Sequence, residues 1–156
     1  MVYFIVLGAG AFNTFLALSQ MPQELAGLLT SASLSPYLIL TVILIFYLIL
    51  GCVMDSLSMI LLTIPILFPI VSTLDFGLPA EEVAVWFGIL VLIVVEVGLI
   101  TPPVGMNLFI IHGMAPDIPI QKTFRGVIPF VASDLVRVVI LVAFPVITLW
   151  LPRLLQ

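Results

Sequence analysis

An 18-residue stretch without a charged side chain, residues 37–54, is the feature that most constrains what this chain can fold into. A helix of about 20 apolar residues is long enough to cross the hydrocarbon core of a bilayer. Over the whole chain 63% of the residues are hydrophobic and 8% are charged, whereas a soluble domain carries roughly 25% charged residues. A water-soluble fold could not hide this much apolar surface, because its outside must be largely polar. The chain is therefore expected to fold in lipid, with room for about five or six crossings.

The remaining composition argues against several function classes. The net charge is −4 and no basic patch exists, so nucleic acid is not expected as a partner. Cys52 is the only cysteine and His112 the only histidine, so neither a disulfide framework nor a clustered metal site is predicted. The sequence has no nucleophile elbow, phosphate loop or zinc-protease motif, so we expect no enzyme and no cofactor.

The order of apolar runs and polar interruptions predicts an all-α membrane protein. The first run starts abruptly, without the charged segment that opens a signal peptide, and this suggests a piece of a larger protein. Five segments are predicted: a transmembrane helix at 1–19, an interfacial arm helix at 20–36, a re-entrant hairpin at 37–72, a discontinuous transmembrane helix at 83–112 and a C-terminal transmembrane helix at 127–151.

The hairpin is inferred from a short apolar run that follows a long one across a polar tip. Pro65 and Pro69 interrupt the second run, which makes it too short and too broken for an ordinary span. Two complete crossings with a tight exposed turn are the alternative. At the tip, Asp55, Ser56 and Ser58 place three oxygen-bearing side chains within four residues. Hard cations such as Na⁺ prefer oxygen ligands, so the tip is a candidate cation site. A role of Asp55 only as the N-cap of the second hairpin helix is the equally weighted alternative.

The discontinuous helix is inferred from the sequence Thr101-Pro102-Pro103-Val104-Gly105. Two successive prolines remove two backbone donors, and a helix does not pass through them unbroken. In secondary transporters, carbonyl groups freed at such a break bind Na⁺. We therefore predict cation-binding carbonyls and a contributing hydroxyl from Thr101; the carbonyl donors are Ile100, Thr101, Pro102 and Gly105. Asn107 is predicted to reach a polar substrate, with Asp55 at the hairpin tip as the second substrate-binding residue. A proline kink satisfied by neighbouring side chains is the alternative to a true break.

Four further polar residues lie inside apolar segments, where they are costly unless partnered. Glu96 lies five residues before Thr101, and we expect it to support the break by accepting its amide hydrogens; a part in ion coupling is the alternative. Asp134 and Arg137 are three residues apart on one helix and are expected to form a structural pair. For Asn13, a packing role and a position facing a cavity stay equally open.

The positive-inside rule orients the chain. Lys122 and Arg125 lie in the loop at 112–126, whereas the loops at 20–36 and 72–82 hold no basic residue. The loop at 112–126 is therefore predicted to be cytoplasmic. The hairpin then enters from the outer face, and the C-terminus lies outside.

Two long motifs resemble the C-terminal signatures of a known family. The segments MDSLSMILLTIPI at 54–66 and VEVGLITPPVGMN at 95–107 are similar to those of the large membrane subunit of TRAP (tripartite ATP-independent periplasmic) transporters, DctM-like. The segment FRGVIPF at 124–130, followed by Asp134-Leu135-Val136-Arg137, is similar to its last helix. The resemblance runs over nearly the whole chain, which is much shorter than the family's large subunit.

The resemblance implies one repeat of an inverted-repeat elevator transporter for Na⁺-coupled uptake of organic acid anions across the bacterial inner membrane. It also implies three protein partners: a periplasmic solute-binding protein, a small membrane subunit, and the missing first repeat. The alternatives are a related broken-helix carrier without a binding protein, a membrane-embedded enzyme using Asp55, Glu96 or Asp134, and a purely structural membrane subunit.

Overall fold

The chain forms eight α-helices in a computed structural model that describes residues 2–31, 35–102, 104–115 and 117–154. The helices are α1 Val2–Ser19, α2 Met21–Ser31, α3 Pro36–Gly51, α4 Ser56–Ser72, α5 Ala80–Ile100, α6 Met106–Met114, α7 Ile120–Ala143 and α8 Val146–Leu154. No strand is present in the part of the chain described, so the expectation of an all-α protein is confirmed.

Among the described residues, two helices are long and apolar enough to cross a membrane, namely α5 and α7. Tyr3–Ser19 and Met21–Leu28 pass the same test together, but they are bent by 58° at Gln20, which has a φ of 54°. Helices α3 and α4 are apolar and shorter. The bend separates the predicted first span from the predicted arm helix. The interfacial position of that arm stays a prediction.

Helix α5 is the centre of the fold and contacts α3, α4, α6, α7 and α8. Trp86 and Phe87 on α5 are almost completely buried. The Phe76 ring lies 5.2 Å from that of Trp86, and the Phe68 ring lies 6.3 Å from that of Phe87. These aromatic contacts join the helix to α4 and to the turn that follows α4. They enclose the N-terminal half of α5.

Helices α3 and α4 form the predicted hairpin. Ser35 caps α3 by accepting a hydrogen bond from the Leu38 amide at 3.3 Å, and Pro36 suits the first helical position. Across the hairpin, the Tyr47 and Thr63 hydroxyls are 2.8 Å apart. This last bond joins the two helices of the hairpin. Whether the hairpin re-enters on one side of the membrane stays a prediction.

Helix α4 differs from the sequence expectation, because it runs unbroken through Pro65 and Pro69. A proline inside a helix removes the hydrogen bond to the carbonyl four residues earlier, which for Pro65 is that of Leu61. The Asn13 side-chain amide on α1 donates to that Leu61 oxygen at 3.4 Å. A side-chain donor from another helix therefore takes the place of the amide hydrogen that Pro65 lacks. The local sequence of α4 does not reveal this donor.

The last predicted span, 127–151, is also divided differently. Helix α7 begins at Ile120 and ends at Ala143, and α8 starts at Val146. Pro145 lacks the amide hydrogen that would continue α7. The early start shortens the predicted 112–126 loop to the residues between α6 and α7, so Lys122 and Arg125 lie in the first turns of α7. The bidentate pair of Arg153 with Glu82, at 2.8 and 2.6 Å, holds α8 against the start of α5.

Candidate functional site: a hairpin tip beside a broken helix

The hairpin tip is a short turn between α3 and α4 that ends in a capped helix. Asp55 has extended backbone, and its Oδ2 accepts a hydrogen bond from the Ser58 amide at 2.9 Å. The carboxylate therefore occupies the N-cap position that its place in the sequence suggested. Asp55 is exposed, and Ser56 and Ser58 are half-buried. All three oxygen-bearing side chains are at one helix end, and their binding of Na⁺ stays a prediction.

The predicted break lies between Ile100 and Met106, where α5 ends and α6 begins. Thr101 is extended, with ψ 130°, as expected for a residue that precedes a proline. Its amide donates to the Gly98 carbonyl at 3.0 Å, and its hydroxyl donates to the Val97 carbonyl at 2.6 Å. Thr101 thus closes the last turn of α5 with its own backbone and side chain. Pro103 lies outside the described residues.

Gly105 restarts the helix after the break. Its φ of 54° is left-handed, a region that side-chain-bearing residues seldom occupy. A Cβ atom there would lie 3.2 Å from the Thr101 carbonyl oxygen and 3.2 Å from Leu108 Cδ1. The Gly105 carbonyl accepts the Leu108 amide at 2.8 Å, and Asn107 lies half-buried in the first turn of α6. Glycine at this position lets the chain turn back against Thr101.

Carbonyl groups at the break are left without donors. Among the described residues, no hydrogen bond reaches the carbonyl oxygens of Ile100, Thr101 or Pro102. The carbonyl of Leu99 would pair with residue 103 in a continuous helix, and a proline there has no amide hydrogen. Unpaired carbonyls at membrane depth are tolerated only where protein, water or a ligand meets them. The break therefore offers several oxygen atoms to a cation or to water.

Two glycines bring the hairpin and the break together. Gly51 ends α3 just before the tip, and Gly98 lies three residues before Thr101. A Cβ atom on Gly98 would lie only 2.8 Å from Gly51 Cα and 2.9 Å from the Leu48 carbonyl oxygen. The two helix backbones are therefore almost in contact. Sequence reasoning missed this pair, although a glycine shortly before each polar interruption was a usable signal.

A pocket of about 260 Å³ opens beside this crossing. Its lining combines residues from the end of α3 and its following turn with residues of the break: Leu48, Ile49, Cys52, Val53, Thr101, Pro102 and Val104. The structure thus brings Thr101 and Pro102 against residues 48–53, the neck of the hairpin. Asp55, Ser56, Ser58 and Asn107 are not among the lining residues.

The structure does not place Glu96 at the break. Its side chain is exposed, and in the described part of the chain it makes no hydrogen bond or ion pair. Each helical residue is turned by about 100° from the one before it, so Glu96 points roughly opposite to Gly98, which faces the hairpin. The expected acceptance of amide hydrogens from the break is therefore not made within the described residues.

The other predicted polar residues are found as follows. Arg137 Nη2 lies 2.9 Å from Asp134 Oδ1 on the partly exposed surface of α7, so the two side chains meet as their spacing suggested. Within the ranges that the structure covers, no group of three or more His, Cys, Asp or Glu residues could hold a metal ion. Asn13, for which the sequence left two roles open, contacts α4.

An apolar helical fold with a capped hairpin beside a broken long helix places the chain in the class of helical membrane proteins. The sequence profile of the family described as "Tripartite ATP-independent periplasmic transporter, DctM component" matches residues 1–147. The chain belongs to this family, the large permease subunits of TRAP transporters.

Relatives in the family differ in what they are named for. The chain is 36% identical over 153 residues to the C4-dicarboxylate TRAP transporter large permease protein DctM of Pseudomonas aeruginosa, covering 98% of the chain and 34% of that protein. It is 32% identical to the sialic acid large permease SiaM of Vibrio cholerae, covering 98% of the chain and 34% of that protein. It is also 32% identical to the 2,3-diketo-L-gulonate large permease YiaN of Escherichia coli, covering 92% of the chain and 32% of that protein.

These relatives are named as permeases. The chain spans about a third of the length of the curated relatives it matches. No solved structure matches the chain.

Proposed function

We propose that this chain is the C-terminal part of the large permease subunit of a TRAP-type secondary transporter that takes up organic acid anions with Na⁺. The relatives named for C4-dicarboxylates, sialic acid and diketogulonate are the reason for choosing organic acids. The observation that carries the proposal is the group of unpaired carbonyls at the break, which lies beside the hairpin neck.

The geometry of the break suits a sodium ion. Carbonyls at the C-terminal end of a half-helix carry partial negative charge, and they point along the axis of α5 toward the break. Ile100 supplies such an oxygen at the helix end, and Thr101 and Pro102 supply further carbonyl oxygens in the break itself. The Thr101 hydroxyl oxygen can accept a cation while its hydrogen is bonded to the Val97 carbonyl. Gly105, and Ser56 and Ser58 at the tip, are the further proposed ligands.

The second half-helix suits an anion. The N-terminus of α6 at Gly105 and Met106 carries free amide groups and partial positive charge, which favour a carboxylate. Asn107 lies in this first turn and can donate to the same group. We propose that Asn107 and, at the hairpin tip, Asp55 contribute to organic acid binding.

The complete transporter needs more protein than this chain supplies. A first repeat would provide the opposing hairpin and broken helix, and elevator-type motion would carry the site across the bacterial inner membrane. A periplasmic binding protein would deliver the substrate, and a small membrane subunit would brace the large one. The share of each relative that the chain covers supports this view of an incomplete site.

The test uses the complete permease subunit, reconstituted into liposomes with its small subunit and binding protein. Thr101→Val removes the hydroxyl and keeps the shape, whereas Thr101→Ser keeps the hydroxyl. We expect the valine variant to raise the Na⁺ concentration for half-maximal uptake by about tenfold, because losing one ligand worth about 1.4 kcal/mol weakens binding by that factor. The serine variant is expected to stay near wild type.

Thr41→Val is the matched control, because the Thr41 hydroxyl also donates to the carbonyl four residues earlier, at 2.7 Å, but lies on the exposed side of α3. An unchanged Na⁺ dependence in both Thr101→Val and Ser56→Ala would refute the sodium site. Uptake that persists at full rate without the binding protein would favour the related carrier instead.

A further inference from the structure

Asn13 on α1 occupies a position that the proposed transport function does not explain. It lies in an apolar helix and contacts α4, the second helix of the hairpin, at a site where that helix contains a proline. We infer that Asn13 is a positioning residue, which supplies the hydrogen-bond donor that Pro65 lacks and thereby fixes the hairpin against α1. This inference rests on the proposed function, because it assigns the hairpin a place in the ion site.

The contact itself is specific. Asn13 Nδ2 lies 3.4 Å from the Leu61 carbonyl oxygen, which is the acceptor that an amide hydrogen at residue 65 would bond in an ordinary helix. The opposite orientation of the side-chain amide would place two oxygen atoms face to face, so the contact fixes the nitrogen toward α4. Asn13 Oδ1 is buried and has no hydrogen-bond partner among the described residues. The amide is thus oriented by its donor group alone.

A second proline is treated in the same way elsewhere in the fold. Pro145 has no amide hydrogen for the carbonyl of Leu141, four residues earlier. The buried Trp86 Nε1 on α5 donates to that Leu141 oxygen at 2.9 Å. Two different helix pairs therefore use a side-chain donor at the carbonyl that a proline releases. The repetition indicates that the Asn13 contact belongs to how this fold accommodates its prolines.

The position of the contact explains why it matters for the hairpin. Leu61 lies five residues after Ser56, the first residue of α4, and thus about 8 Å along the helix from the tip. A shift of α4 away from α1 lengthens a bond that is already 3.4 Å. Helix α1 therefore helps to hold α4, and with it the tip that carries Ser56 and Ser58, in place beside α5.

The test is a double-mutant cycle in the complete permease, with Asn13→Ala, Pro65→Ala and the combined variant. Alanine at position 65 restores the amide hydrogen, so Leu61 no longer needs Asn13. We expect Asn13→Ala to raise the half-saturating Na⁺ concentration about threefold and to retain the maximal rate. A threefold change corresponds to the free energy of a typical interhelical hydrogen bond in a membrane. In the Pro65→Ala background the same substitution is expected to have no effect.

Thr14→Ala is the matched control, since the neighbouring Thr14 hydroxyl donates only within its own helix, to Gly10 at 2.9 Å. The melting temperature in detergent is measured for the wild type and the three variants of the cycle. Additive effects of the two substitutions on melting would overturn the Asn13–Leu61 contact. Coupled melting with unchanged Na⁺ affinity would overturn the positioning role. Uptake by the wild type that ignores Na⁺ would instead refute the proposed function, and the melting cycle would still decide the contact.

Discussion

The approach of Gly98 to Gly51 gives the sharpest prediction, because the atoms that a new side chain would meet belong to the backbone. A Cβ atom on Gly98 would lie 2.8 Å and 2.9 Å from Gly51 Cα and C, and 2.9 Å from the Leu48 oxygen. Non-bonded carbon atoms pack at about 3.5–4.0 Å, so in Gly98→Ala α3 and α5 must separate by about 1 Å. Overpacking of this kind costs about 1–3 kcal/mol.

The matched control is Gly88→Ala on the same helix, where a Cβ atom meets nothing within 4 Å. Both substitutions gain the same helix propensity, about 1 kcal/mol, so their difference isolates the helix contact. The free energy of unfolding is measured by titrating the complete permease with denaturing detergent in mixed micelles. We expect Gly98→Ala to be less stable than Gly88→Ala by about 1–3 kcal/mol.

The same separation moves the hairpin neck away from the break. Gly98→Ala should therefore also weaken Na⁺ dependence of uptake, whereas Gly88→Ala should leave it unchanged. Equal stability of the two alanine variants would show that the helices are not in contact at the glycines. The hairpin and the break would then not form one site.

Two further substitutions separate local structure from ligand binding. Asp55→Ala removes the N-cap of α4 and should lower stability by about 1 kcal/mol, whereas Asp55→Ser retains a capping oxygen and should restore it; if uptake returns fully with serine, the carboxylate acts as a cap alone. Gly105→Ala forces a left-handed conformation on a residue with a Cβ atom and should lower the free energy of unfolding by about 1–2 kcal/mol. Gly105→Asn should be milder, since asparagine visits this region more readily, and an alanine variant as stable as asparagine would contradict the reasoning.

Local chemistry fixed the features that depend on one stretch of chain. Two adjacent prolines, Pro102 and Pro103, remove two successive amide hydrogens and keep Thr101 out of helical geometry, which the separated prolines of α4 do not do. Asp55 followed by Ser56 and Ser58 is a local signal for a helix start. The same holds for the pairing of Asp134 with Arg137, because residues three apart on a helix share a face. The membrane environment followed from the scarcity of charge alone.

Contacts between helices decided the rest. The sequence shows which amide hydrogens the prolines lack, but only packing brings Asn13 to Leu61 and Trp86 to Leu141. The outward direction of Glu96 likewise follows from which face of α5 meets α3. Backbone rules act over about four residues, whereas these donors come from helices dozens of residues away, and their meeting is a property of the tertiary structure alone.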